Sequence, residues 1–113
     1  MRIRIATLLL SVPALALAHH GWSEYDQTNT LTLTGKVAES GYTHPHGHVR
    51  LVTPTKTWLA VLAPPSRMDN RGLTKDMLKV GSTVTVVGYA NRSNPEEMRA
   101  ERISVDGKTV ELR

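Results

Sequence analysis

From Thr30 to Ser40 the chain reads TLTLTGKVAES, with Leu31, Leu33, Gly35 and Val37 alternating against Thr30, Thr32, Thr34 and Lys36. A period of two marks a strand with one buried face, and a glycine inside it marks a bulge or a tight bend. HVRLVTP (48–54) and KTWLAVLA (56–63) are short β-rich runs, and Pro54-Thr55 between them reads as a turn joining antiparallel partners. STVTVVGYANR (82–92) is the clearest strand, placing Val84, Val86 and Gly88 on one face. MRAERISVDGKTVELR (98–113) closes as two strands around Asp106-Gly107, a strong hairpin signal. Only PPSRMDNRGLTKDMLKVG (64–81) breaks the alternation: Ser66 caps a short helical turn ending near Gly72, and Thr74 caps a second through Leu78, with Gly81 after it.

This order predicts an all-β domain, a small OB-fold-like antiparallel barrel with a short helical insert before the fourth strand. With 113 residues the chain suffices for one domain and is short for two. The first eighteen residues, MRIRIATLLLSVPALALA, set Arg2 and Arg4 before an apolar run that ends Ala16-Leu17-Ala18. That is the layout of a secretory signal peptide, and the run is too short for a membrane span. The expectation is a signal at 1–18, a single OB-like domain at 19–113, a periplasmic address and no stable membrane insertion after cleavage.

Charge and cysteine content then narrow the function. Loss of Arg2 and Arg4 leaves 12 Lys and Arg against 10 Asp and Glu, so the formal charge falls from +4 to +2. Nothing in the remainder gathers positive charge into a nucleic-acid footprint. There is no cysteine, so no disulfide holds this small exported fold. Its core must do so, with a metal as the remaining aid.

All five histidines fall in two clusters, His19-His20 and THPHGHV with His44, His46 and His48. Along an extended strand these last three share a face, neighbours lie about 6 to 7 Å apart, and the outer two converge only if the chain bends, as Pro45 and Gly47 allow. Cleavage after Ala18 gives His19 an α-amine beside its own imidazole, two nitrogens that chelate one ion. A third nitrogen from His46, with His44 or His48 completing the set and His20 as an alternative, makes a histidine brace. All-nitrogen tetragonal sets favour Cu(II), and zinc or nickel are secondary candidates. A cut after Ala16 would leave Leu17-Ala18-His19, whose third-place histidine is also a Cu(II) and Ni(II) chelator. Met68, Met77 and Met98 are weaker candidates as soft ligands, Trp22 and Tyr25 as flanks of the site, Tyr42 as an axial neighbour, and Glu24 and Asp26 as oxygen ligands or orienting partners.

The segments AHHGWSEYD, LTGKV, THPHGHV and GLTKDMLKVGSTVTVVGYANR, in that order, resemble a family of small exported bacterial proteins of unknown function. Its mature chains open Ala-His-His-Ser-Phe and later carry Asn-Pro-His before an aromatic residue. His19, His20, Pro45 and His46 match that pattern. Gly21-Trp22 replaces Ser-Phe, His44 replaces the asparagine, and His48 stands near the aromatic position, so this chain carries additional imidazoles. The resemblance covers nearly all of residues 18–112 and implies a periplasmic address and an OB-like fold; it supplies no activity.

The expectation from these readings is a periplasmic copper-binding protein for sequestration, tolerance or delivery. Its partners would be the metal ion and a periplasmic metal-handling protein, with no nucleic acid. The alternative is a metal-independent OB-like module for an envelope ligand or protein. No catalytic residue is identified, since no Ser-His-Asp order, P-loop or dinucleotide motif is present. The same brace serves copper oxidases and monooxygenases, and that reading stays open although so small a domain leaves little surface for a substrate pocket.

Overall fold

The computed structural model describes residues 21–113. A 3-10 turn at Trp22–Glu24 leads into six strands: β1 (Tyr25–Gly41), β2 (His48–Val52), β3 (Thr57–Val61), β4 (Thr83–Asn91), β5 (Glu97–Val105) and β6 (Lys108–Glu111). The insert between β3 and β4 holds helix α1 (Pro65–Asn70) and a 3-10 turn at Lys75–Leu78. The sheet order is β3-β2-β1-β4-β5-β6, and an additional β3–β5 pairing closes the first five strands into a ring. The fold is all-β and OB-like, with the helical insert before the fourth strand as the sequence predicts. One join differs from an all-antiparallel arrangement, since β3 and β5 run parallel, Leu59 opposite Glu97 and Val61 opposite Arg99.

The alternation read from the sequence is the inside of this ring. Val37, Val49, Leu51, Ala60, Val84, Val86, Met98, Ala100, Ile103 and Val105 form the buried cluster, and Met68, Leu73 and Leu78 of the insert join it. Dispersion and loss of water contact on these side chains hold the domain, since the chain has no cysteine to cross-link. The hairpin at Asp106-Gly107 turns with φ of 50° and 77°, the paired left-handed conformation that a two-residue connection requires.

Two irregularities decide which side chains face outward. In β1 the register shifts between Val37 and Glu39, so Val37 lies opposite Leu51 and Glu39 opposite Arg50. The extra residue, Ala38, turns Glu39 and Gly41 to the outer surface. In β5 a shift opposite Val87 and Gly88 moves the inward parity from Met98 and Ala100 to Ile103 and Val105. Gly35 has a separate role: a Cβ there would run into the Val52 carbonyl, so the glycine is the close approach that lets β1 bend across β2.

The insert starts differently from the expectation. α1 begins behind Pro64, with Pro65 in its first turn, and no side chain caps it. Ser66 lies within the helix because the fixed φ of proline already presets the first turn. Thr74 does precede the Lys75–Leu78 turn, without a side-chain hydrogen bond.

Candidate functional site

The outer face of β2, β3 and β5 carries two rows of side chains, each a chain of directly opposed residues. The first runs Gly41, His48, Val61, Arg99, Tyr89. The second runs Glu39, Arg50, Leu59, Glu97. Residues opposed across a strand pair share a face, so each row is a line of neighbours about 4.8 Å apart at the backbone. A groove of about 300 Å³ opens over them, lined by Pro45, His46, Gly47, His48, Arg50, Leu59, Val61 and Glu97.

The histidine loop is pinned where it meets this groove. His44 and Pro45 form a bend, and only His48 of the three histidines lies on a strand, so the stretch does not run extended. Gly47 N–H donates to the Ala63 carbonyl (2.9 Å), and Leu62 N–H donates to the Gly47 carbonyl (2.8 Å). His46 and His48 therefore enter the groove from a fixed backbone. His44 is exposed and is not among the lining residues. The His48 ring lies over Gly41, and its Nε2 is 3.6 Å from Glu39 Oε1. Glu39 Oε2 is in turn 3.4 Å from Arg50 Nε.

At the opposite wall stands Glu97, buried to 8 % exposure. The Tyr25 hydroxyl donates to its Oε2 at 2.7 Å and the Asn91 amide donates to the same oxygen at 3.0 Å. Asn91 Oδ1 accepts from the backbone of Ser93 and Asn94, which ties the 92–96 loop to this carboxylate. Burial, and then the Glu97 carboxylate, push the Tyr25 hydroxyl well above the ordinary phenol range. Beside it the guanidiniums of Arg99 and Arg113 each lie 4.3 Å from the Trp22 ring, which meets Tyr89 edge-on at 6.2 Å. Trp22 thus meets two cations beside the first row, and burial lowers the pKa of Arg99.

Several residues singled out from the sequence have other duties. His19 and His20 lie outside the described residues. Met68 and Met98 are fully buried in the core, and Met77 packs against it. Tyr42 turns away to the insert, where its hydroxyl reaches the Leu73 carbonyl (2.5 Å) and Asp69 Oδ1 (2.9 Å). Asp26 accepts from both the backbone and the hydroxyl of Thr28, which hold its carboxyl below the usual range. Among the described residues no group of three or more His, Asp or Glu side chains is placed to hold a metal. Glu97, Arg50 and Asn91 were not signalled by the sequence. Outward positions on a strand are ordinarily solvated, and nothing in SNPEEMRAE shows that Tyr25 will meet the second of its glutamates.

No curated protein matches the chain. Two solved structures share its fold: TiaS in complex with tRNA and ATP, at 20% identity and a TM-score of 0.53, and a ZRD-deleted TiaS mutant in complex with agmatine, at 19% and 0.52. They align over 79% and 78% of this chain but only 20% and 25% of their own, so the chain spans about a quarter or less of those proteins. At such identity the likeness is one of fold. The model of a family of unknown function, DUF6152, matches residues 7–99, and the chain belongs to that family.

Proposed function

We propose that this chain is an exported copper-binding protein whose ion is held between the mature N-terminus and the histidine loop, for sequestration or delivery and without catalysis. The observation that carries the reading is that His46 and His48 line one groove, while Trp22 is fixed on Arg99, two strands along the row from His48. Two strand spacings amount to about 10 Å, and the three residues from Trp22 back to His19 span at most about 11 Å. A free amine at His19 therefore has the reach to join His46 or His48. Glu39, close to His48, is suited to orient that imidazole.

Cu(II) affinity of His46→Ala, His48→Ala and His44→Ala variants tests the assignment. Loss of His46 or His48 should weaken binding at least tenfold, and loss of the outlying His44 should change it little. Equal affinities for all three would refute it. Binding should also weaken as pH falls through the imidazole range, because ligand nitrogens must be deprotonated.

A second reading rests on the groove's position. It lies on the β2–β3 face, beside the loop between β1 and β2 and the loop between β4 and β5, which is where OB-folds take their ligands. Full cellular activity of a variant with alanine at 44, 46 and 48 would favour this metal-independent binding role.

A further inference from the structure

We propose that the groove also binds a small zwitterion, a molecule bearing an ammonium group and a carboxylate in the manner of an amino acid, held between Glu97 and Arg50. Glu97 is more than nine-tenths buried, and both of its hydrogen bonds among the described residues fall on Oε2. Oε1 is the oxygen left to the groove. Oε1 has no donor among the described residues and is not one of the fully enclosed unpartnered atoms, so it is open to a ligand that brings N–H groups. Tyr25 and Asn91 fix the carboxylate in advance, and little ordering remains to be done on binding.

Arg50 lines the same groove two positions along the second row from Glu97, with Leu59 between them. Its Nε faces Glu39, and its two terminal nitrogens have no partner among the described residues, which leaves them a fork suited to a carboxylate. The apolar side chains of Leu59 and Val61 floor the space between the two charges. The groove is at the small end of the range for organic ligands, and this mix of apolar floor and few convergent polar groups is usual for them. A simple anion would meet Glu97 and Glu39; a simple cation would meet Arg50. Only a molecule carrying both charges satisfies the two walls. This inference does not rest on the metal reading, since neither Arg50 nor Glu97 belongs to the proposed ligand set.

The test uses the full exported chain, freed of metal by a chelator, with NMR signals of His46 and His48 as reporters. Glycine, β-alanine and γ-aminobutyrate are titrated as probes of increasing charge separation, with acetate and ethylamine as single-charge controls. At least one amino acid should shift the reporters at millimolar concentration or below, at least tenfold more tightly than either control. Glu97→Gln keeps the acceptor toward Tyr25 and turns an amide toward the groove, so it should weaken that amino acid at least tenfold and should not weaken acetate, which no longer meets the Glu97 charge. Should this variant fail to fold, the comparison of zwitterions with controls on the parent chain decides alone. Equal binding of controls and amino acids would overturn the proposal. So would an absence of shifts, whether the groove is empty or filled by the chain's own residues before Gly21. A chain that binds amino acids but not Cu(II) keeps this inference and loses the metal reading; the opposite result does the reverse.

Discussion

Replacing Tyr25 with phenylalanine removes one hydroxyl from behind the Glu97 wall of the groove and little else. Tyr25 is fully buried, and its hydroxyl lies 2.7 Å from a carboxylate that is itself 8 % exposed. A hydrogen bond to a charged group contributes about 1.5–3 kcal/mol. The value here should fall low in that range, because Asn91 continues to donate to the same oxygen at 3.0 Å. A loss of about 2 kcal/mol lowers the thermal midpoint of a domain this size by roughly 8–16 °C. Thermal or urea unfolding followed by circular dichroism measures it, and the double variant with Glu97→Gln separates the pair from its surroundings. In that cycle the two substitutions should be less than additive by about 1 kcal/mol. Tyr89→Phe serves as a control, since Tyr89 is half-buried and bonds Glu101 near the surface, where losses are usually within about 0.5 kcal/mol. A Tyr25→Phe variant as stable as the parent, or full additivity with Glu97→Gln, would show that this contact does not hold the N-terminal end of β1 on the sheet.

Alkaline unfolding offers an independent check on the same tyrosine and on Tyr42, whose hydroxyl is pushed up to about 12 by burial and by Asp69. Because the folded form keeps protons that the unfolded chain releases near pH 10, their contribution is complete below about pH 10 and is lost as pH rises toward 12. Stability that stays flat over that window in a urea series would contradict it. Trp22→Ala removes the ring that meets Arg99 and Arg113, contacts worth about 0.5–2 kcal/mol each. It should lower Cu(II) affinity severalfold by releasing the N-terminal segment from the first row, with the fold intact by circular dichroism; unchanged affinity would separate Trp22 from the site.

The elements of the fold were legible because each states its burial locally. Thr30 to Val37 alternates without interruption, and Asp106-Gly107 permits little besides a hairpin. The bulge at Ala38 was harder to see, since Val37-Ala38-Glu39 breaks the period by one residue with no glycine or proline to mark it. Its effect is large, because it turns Glu39 toward His48 and Arg50. The candidate site was legible only on one side. His46 and His48 announce themselves by type and spacing, and the bend at Pro45-Gly47 that brings them to the groove was readable from those two residues. Glu97 was not, because the tyrosine that meets it, Tyr25, is more than seventy residues away in sequence. The parallel β3–β5 contact that sets Leu59 between Arg50 and Glu97 is likewise a product of ring closure and leaves no local pattern.

The copper reading rests on a free amine at His19, and one added residue isolates that amine from every other ligand. Cu(II) affinity is measured for a chain beginning at His19 and for the same chain carrying a single alanine before it, which keeps every imidazole and removes the amine from His19. If the amine is a ligand, the extended chain loses at least tenfold in affinity. Equal affinity for the two would contradict it.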